Sequence, residues 1–193
     1  METIILMGPI GVGKSTQAEL LSKELDQPRC SYDEVKAEYR KRVGFSNKTA
    51  QSIHDEHGLY AMISYMNEFK SQILEPIIND HPGHVIDLGG GAQCFDQPHQ
   101  VARAQKAFES VSDIFLLLPS QDLATNITTL PGIKENYPIN AYLIMHPTNE
   151  LFAKQTVFTL GKTPEKIMHE IVNLLSKPNQ RFLSTPISGM SEA

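Results

Sequence analysis

The run Gly8-Pro9-Ile10-Gly11-Val12-Gly13-Lys14-Ser15-Thr16 has the spacing G-x-x-x-x-G-K-S, and each part of it suits a polyphosphate. In such a glycine-rich turn, successive backbone N–H groups point inward onto phosphate oxygens. A helix opening directly after the turn adds the partial positive charge of its N-terminus. Lys14 would then reach the β- and γ-phosphates, and the Ser15 hydroxyl would ligate Mg²⁺. Gly8, Gly11, Val12, Gly13, Lys14, Ser15 and Thr16 are therefore the expected contacts for ATP and Mg²⁺.

Two carboxylates and three glycines fall where they would serve the same chemistry. Asp87 stands near the end of the third strand, His84–Leu88, the usual place for an acid that holds Mg²⁺ through a water or the Ser15 hydroxyl. Asp33 follows a short, weakly marked strand and would accept or orient an acceptor hydroxyl, or share the metal. As plain structure, Asp87 would be a solvated strand-end acid and Asp33 a helix N-cap. Gly89-Gly90-Gly91 allows close backbone approach, so its N–H groups are expected to meet an anion or polar group of the substrate; a turn needing positive φ is the plainer reading.

The elements that must position these residues follow from periodicity. Thr3–Met7 is a β-branched apolar strand feeding the glycine loop, and Lys14–Leu25 reads as a helix. Arg29–Tyr32 is the second strand, followed by a charged helix over Glu34–Val43 that Gly44 closes. Asn47–Asp80 is helical with a break at Gly58, and Pro76 is expected to kink or shorten it. The third strand, His84–Leu88, leads to a helix over about Gln97–Ser110. Ile114–Leu118 is uniformly apolar, as in a central strand covered on both faces. Ser120 is the expected N-cap of a short helix, Gln121–Thr129. Residues 129–147 hold three prolines and no clear period, the mark of a lid or binding loop. Asn149–Lys154 is a short helix, Thr156–Leu160 a fifth strand, and Pro164 opens the last helix to about Leu175. Five strands alternating with helices mean a three-layer α/β/α fold around a parallel sheet, with ligands beyond the carboxyl ends of the strands. Residues 1–176 are expected to form a single domain and 177–193, rich in Ser and Pro, a flexible tail.

Bulk properties exclude several classes. A formal charge of −5 without a basic stripe argues against a nucleic-acid partner, and Arg29, Arg40, Lys41, Arg42 and Lys48 read as a local feature. Cys30 and Cys94 lack metal or redox spacing and suit a reducing cytoplasm. No apolar run approaches membrane-spanning length. His54 and His57 could share a helix face but lack a third ligand, so a solvated face outweighs a metal site. The expected setting is cytoplasmic, with a small-molecule substrate and a monomer or homodimer.

The glycine loop, Asp33 after strand two, Gly89–Gly91 after strand three and a late lid together resemble the shikimate kinases, within the nucleoside-monophosphate-kinase-like group of P-loop proteins. The resemblance runs in element order over residues 2–175. It implies a five-stranded parallel sheet of order 2-3-1-4-5, a lid over ATP, and phosphorylation of a small hydroxylated molecule. The departures fall on the acceptor. The family's D-x-D at strand two is here Ser31 and Asp33. An arginine after a glycine in the next helical region is replaced by Tyr60 in Gly58-Leu59-Tyr60. No arginine lies between Arg103 and Arg181, and Thr148 falls near a second family arginine. Neither Tyr nor Thr supplies the planar fork with which arginine grips a carboxylate. Shikimate is therefore not the expected substrate. Tyr60 and Gly89–Gly91 would shape the acceptor pocket, and Lys134 and Lys154 are the cations left to neutralise a transferring phosphate.

Other branches fit less well. Asp87-Leu88-Gly89-Gly90 lacks the Pro-Arg of the D-G-x-P-R found in nucleotide kinases, and Asn47-Lys48-Thr49-Ala50 lacks the final Asp of a guanine reader. Gly161-Lys162-Thr163 ends like a phosphate loop but has Thr at position 156, so no second loop exists. The expected activity is transfer of the γ-phosphate of ATP to a hydroxyl of a small metabolite, with Asp33 and Lys14 as catalytic residues. A nucleoside or nucleotide kinase, and an ATP-binding regulator that transfers nothing, are the alternatives.

Overall fold

The computed structural model describes residues 1–130 and 133–175, with 133–138 described by their backbone alone. The expected tail at 177–193 lies outside the described residues. Five strands, β1 (Ile4–Met7), β2 (Arg29–Ser31), β3 (Val85–Asp87), β4 (Asp113–Leu118) and β5 (Gln155–Phe158), form one parallel sheet of order β2-β3-β1-β4-β5. The helices are α1 (Lys14–Glu24), α2 (Tyr32–Arg42), α3 (Asn47–His57), α4 (Leu59–Asp80), α5 (Pro98–Phe108), α6 (Leu123–Thr129), α7 (Ile133–Met145), α8 (Thr148–Phe152) and α9 (Pro164–Leu175).

Alternation along each strand divides the core into two layers. Ile5, Met7, Ile86, Ile114 and Leu116 point to one face, against Tyr39 of α2, Ile73, Leu74 and Ile77 of α4, and Ala104 and Phe108 of α5. Ile4, Leu6, Val85, Phe115, Leu117 and Val157 point to the other, against Ala18 and Leu21 of α1 and Ile167 and Ile171 of α9. Helices on both faces explain why β1 and residues 114–118 of β4 are apolar without a break. Register sets the site: Leu6 lies beside Asp87 and Ser31 beside Asp87, so β1, β2 and β3 end together.

Three expectations change. Pro76 does not shorten α4, which runs unbroken for 22 residues. Ile73, Leu74, Ile77 and Ile78 are buried on both sides of it, and this packing outweighs the hydrogen bond that a ring nitrogen cannot make to the Gln72 carbonyl. The cap of α6 is Asp122 rather than Ser120; its carboxylate accepts the Thr125 amide at 2.7 Å, while Ser120 Oγ accepts the Asp122 amide. Residues 133–145 of the expected lid are helical, because Leu143 and Ile144 are buried and fasten the helix's second half.

Ile77 is fully buried in the layer between α4 and the sheet. Ile77→Ala is expected to cost about 2–5 kcal/mol in urea denaturation; a loss under about 1 kcal/mol would contradict the assigned packing.

Candidate active site

The glycine loop is held against the sheet by its backbone. Gly8, Gly11 and Gly13 have φ of 145°, 82° and 99°, a region that side chains with a Cβ rarely adopt. At Gly8 there is also no space, since a Cβ would stand 2.4 Å from the Leu117 carbonyl oxygen. Gly13 in the left-handed conformation starts α1, and Lys14 is its first residue. Lys14 is 7% exposed and donates to the carbonyls of Gly8 at 3.0 Å and Pro9 at 2.8 Å. Burial brings its ammonium down to about 8, against the pull of Asp87 and Asp33.

Asp87 lies under this loop with 2% of its surface exposed. Burial pushes its carboxyl up, while the Ser15 hydroxyl and the Lys14 ammonium draw it down. Its Oδ2 is buried without a hydrogen-bond partner, which leaves one carboxylate oxygen available beside the Ser15 hydroxyl. An unpaired buried carboxylate oxygen next to a serine hydroxyl suits a hard divalent cation or its water, so these residues fit Mg²⁺.

Gly89–Gly91 touches three different parts of the molecule. A Cβ on Gly89 would come 2.7 Å from Asp33 Oδ1, one on Gly90 2.4 Å from Ile10 Cγ1 of the phosphate loop, and one on Gly91 2.5 Å from Leu143 Cδ2 of α7. Asp33 sits in the first turn of α2 rather than ahead of it, and forms a short ion pair with Lys36 one turn on. The triplet, Asp33 and the loop therefore share one crevice at the carboxyl ends of β1, β2 and β3.

A cavity of about 210 Å³ opens from this crevice between α2 and α4. Beside Asp33 and the triplet, its wall includes Lys36, Arg40, Met66 and Lys70. Lys70 crosses from α4 to donate to the carbonyls of Gly91 at 2.7 Å and Cys94 at 2.8 Å, over the Phe95 ring at 4.8 Å. Its burial brings the ammonium down to about 8. Sequence reading singled out neither Lys36 nor Lys70 and took Arg40 for a local charge. The available signal was the i, i+3, i+7 spacing of Asp33, Lys36 and Arg40, which puts all three on one helix face. A larger recess of about 440 Å³, lined by Glu2, Leu25, Ser112 and Asp113 among others, lies at the amino ends of β1 and β4, away from this chemistry.

Two expected acceptor contacts lie elsewhere. Tyr60 is 87% exposed in the first turn of α4 and is not part of the cavity wall. Lys154 precedes β5 and its amide bonds the Ile114 carbonyl at 2.9 Å, which puts it at the amino end of the sheet, opposite the phosphate loop. Parallel strands carry their ligands at the other end, and this removes Lys154 from the crevice. The Lys134 side chain lies outside the described residues. A second feature not foreseen is the fastening of α7 to the loop after the triplet. The Tyr142 hydroxyl donates to both oxygens of Asp96 at 3.0 and 3.1 Å, His146 lies 3.3 Å from Asp96, and Gln93 donates to Asn149 at 2.8 Å.

This sheet order behind this loop defines a P-loop kinase. Shikimate kinase from Flavobacterium johnsoniae is 30% identical over 154 residues, covering 80% of each chain. Adenylate kinase from Anaeromyxobacter sp. (strain K) is 34% identical over 84 residues, 44% of this chain and 38% of that one. The structure of shikimate kinase from Acinetobacter baumannii in complex with shikimate superimposes with a TM-score of 0.59 at 17% identity, covering 91% of this chain and 93% of that one, a likeness of fold. No protein-family model matches the sequence. The chain belongs to the shikimate kinase family, among the phosphotransferases of the P-loop kinase type. Among the described residues, no helix is long and apolar enough to cross a membrane.

Gly8→Ala meets a backbone oxygen that cannot yield and a φ its side chain disfavours. It is expected to cost about 3 kcal/mol in denaturant unfolding, at the upper end for a single strained position. Wild-type stability in that variant would contradict the tight seat of the loop on β4.

Proposed function

We propose that the chain transfers the γ-phosphoryl group of ATP to a hydroxyl of a small metabolite other than shikimate. One observation carries the reading: Asp33 Oδ1 is packed onto the Gly89 backbone, at the point where the phosphate loop and the 210 Å³ cavity meet. Phosphoryl transfer is mostly positioning and charge stabilisation. Gly8, Gly11, Val12, Gly13, Lys14, Ser15 and Thr16 hold the phosphates, with Lys14 spanning the β- and γ-oxygens. Ser15 and Asp87 are the residues that would hold Mg²⁺, which would supply charge neutralisation to the transferring phosphate. Asp33 takes the proton of the attacking hydroxyl, and Lys36 keeps its carboxylate oriented toward the cavity. Gly90 and Gly91 keep the backbone close enough for the acceptor to approach the phosphate.

Two features narrow the acceptor. The arginines that the resemblance assigns to shikimate are replaced at Tyr60 and Thr148. A cavity of 210 Å³ lies below the ~300 Å³ at which pockets for drug-sized ligands begin. That size supports a small metabolite over a nucleotide acceptor.

The test is a screen of hydroxylated metabolites for phosphate transfer dependent on ATP and Mg²⁺. With the acceptor so found, Asp33→Asn is expected to keep ATP affinity and lower kcat by about 10²–10⁴-fold. Full turnover in that variant would remove Asp33 as the base. ATP binding without transfer to any acceptor would favour a nucleotide-binding regulator.

Lys14 also sets a pH limb. Its ammonium, at about 8 in the protein alone, is raised by the phosphate charge it meets, so binding above pH 8 takes up a proton. Nucleotide affinity is expected to be full below that pH and to fall by up to about tenfold per unit above it. Calorimetry in buffers of different ionisation enthalpy reads the proton directly. A flat profile to pH 9.5 would exclude Lys14 from the phosphate contact.

A further inference from the structure

The recess of about 440 Å³ at the amino ends of β1 and β4 gathers oxygen acceptors. Glu2 enters it ahead of β1, and Asp113 is the first residue of β4, beside Ile4. Ser112 links the two carboxylates, its hydroxyl meeting Asp113 Oδ2 at 2.8 Å and also Glu2 Oε2. A serine hydroxyl has one hydrogen, so at any moment one of these carboxylate oxygens faces a lone pair instead of a donor. Among the described residues, no lysine, arginine, histidine or α-ammonium pairs with either acid. Burial, and then the Glu2 charge, push the Asp113 carboxyl up against the pull of the Ser112 hydroxyl.

A second feature of the wall is independent of the acids. Gln27 is 6% exposed, and its Nε2 donates to the Glu2 carbonyl at 3.1 Å. That bond fixes which end of the amide is oxygen. Oε1 is left in the recess wall, buried and without a hydrogen-bond partner. A buried carbonyl oxygen in that state calls for a donor. The helix ends add to the same sign of potential. α1 stops at Glu24 and α9 at Leu175, and Leu25 and Leu175 both line the recess, so two helix C-termini border it with their partial negative charge.

These acceptors ask for a cation, and the rest of the wall says which kind. Among the described residues, no three His, Cys, Asp or Glu side chains gather to hold a metal ion. Ile4, Leu25 and Leu175 give the recess an apolar side instead. A primary ammonium has three N–H donors, enough for Glu2, Asp113 and Gln27 Oε1, and a hydrocarbon stem behind it would cover the leucines and Ile4. The volume falls inside the ~300–1,000 Å³ range of small-molecule pockets.

We propose that this recess binds a small organic cation, a primary ammonium on a short hydrocarbon stem, held by Glu2, Asp113 and Gln27. The site lies at the opposite end of β1 from the phosphate loop, and it stands whether or not the chain transfers phosphate.

The experiment is calorimetric titration of the full chain with butylammonium. Butanol serves as the uncharged counterpart, tetramethylammonium as a cation without N–H donors, and Ca²⁺ as a metal competitor. Butylammonium is expected to bind at least about tenfold tighter than butanol or tetramethylammonium, the range of a hydrogen bond to a charged group. Asp113→Asn and Glu2→Gln are each expected to weaken it by about 10- to 100-fold, and Gln27→Leu by a smaller factor, with butanol unmoved. Unchanged far-UV circular dichroism shows that each variant is folded, and the two acid variants test the site separately. No binding of butylammonium, equal binding of butanol or tetramethylammonium, or Ca²⁺ binding in place of the amine would each overturn the proposal. So would an ammonium preference that survives both Asp113→Asn and Glu2→Gln.

Discussion

The close approach of three side chains to the Gly89–Gly91 backbone governs the rest of the site. Each missing Cβ makes room for a different neighbour: the Asp33 carboxylate, Ile10 of the phosphate loop and Leu143 of α7. A Cβ at any of the three would crowd those side chains, which would have to shift to make room. Packed interiors do not absorb such intrusions smoothly. Lys70 then fixes the segment from behind by gripping the carbonyls of Gly91 and Cys94, which the turn leaves without partners in a strand or helix. Three glycines and one partly buried lysine thus hold together Asp33, the phosphate loop and α7.

Burial sets the electrostatics in the same place. Lys14 and Asp87 are almost completely covered, and burial moves each toward its neutral form: the ammonium down, the carboxyl up. Desolvation costs both groups, and their mutual attraction offsets only part of it. A pair held in this state responds strongly to added charge. Polyphosphate favours the charged ammonium, and a divalent cation favours the charged carboxylate. A polyphosphate and a divalent cation would therefore stabilise opposite members of one buried pair.

How much of this was readable from residues alone depended on how local each feature is. Gly8–Thr16 is one continuous stretch whose strand, turn and helix are each marked, and the loop has that form. Sheet order is implied by the family resemblance, and the apolar continuity of β1 and of residues 114–118 in β4 follows from helices on both faces. Pro76 misled because its local cost is outweighed by long-range burial of Ile73, Leu74, Ile77 and Ile78. Residues 133–145 misled for the related reason that the helix is held by Leu143 against Gly91 and by Tyr142 on Asp96, contacts across about fifty residues of chain. Tyr60 and Lys154 were assigned by position in a pattern, and neither lines the crevice in the fold.

The division between donor and acceptor follows from the same physics. The donor side needs backbone N–H groups, one lysine and one hydroxyl, all supplied within nine residues, so its signature survives divergence of the remaining chain. The cavity wall beside it is assembled from α2, α4 and the triplet, and apart from the i, i+3, i+7 spacing on α2 its residues carry no shared local pattern. A charge such as Arg40 or Lys70 reads as an ordinary surface base until the helices are packed. An arginine lost from one wall of such a cavity can be answered by a base on another wall, since a carboxylate or phosphate is held by charge and donor geometry rather than by sequence position. Relatives can therefore keep the phosphate loop nearly intact while the acceptor cavity changes its set of cations.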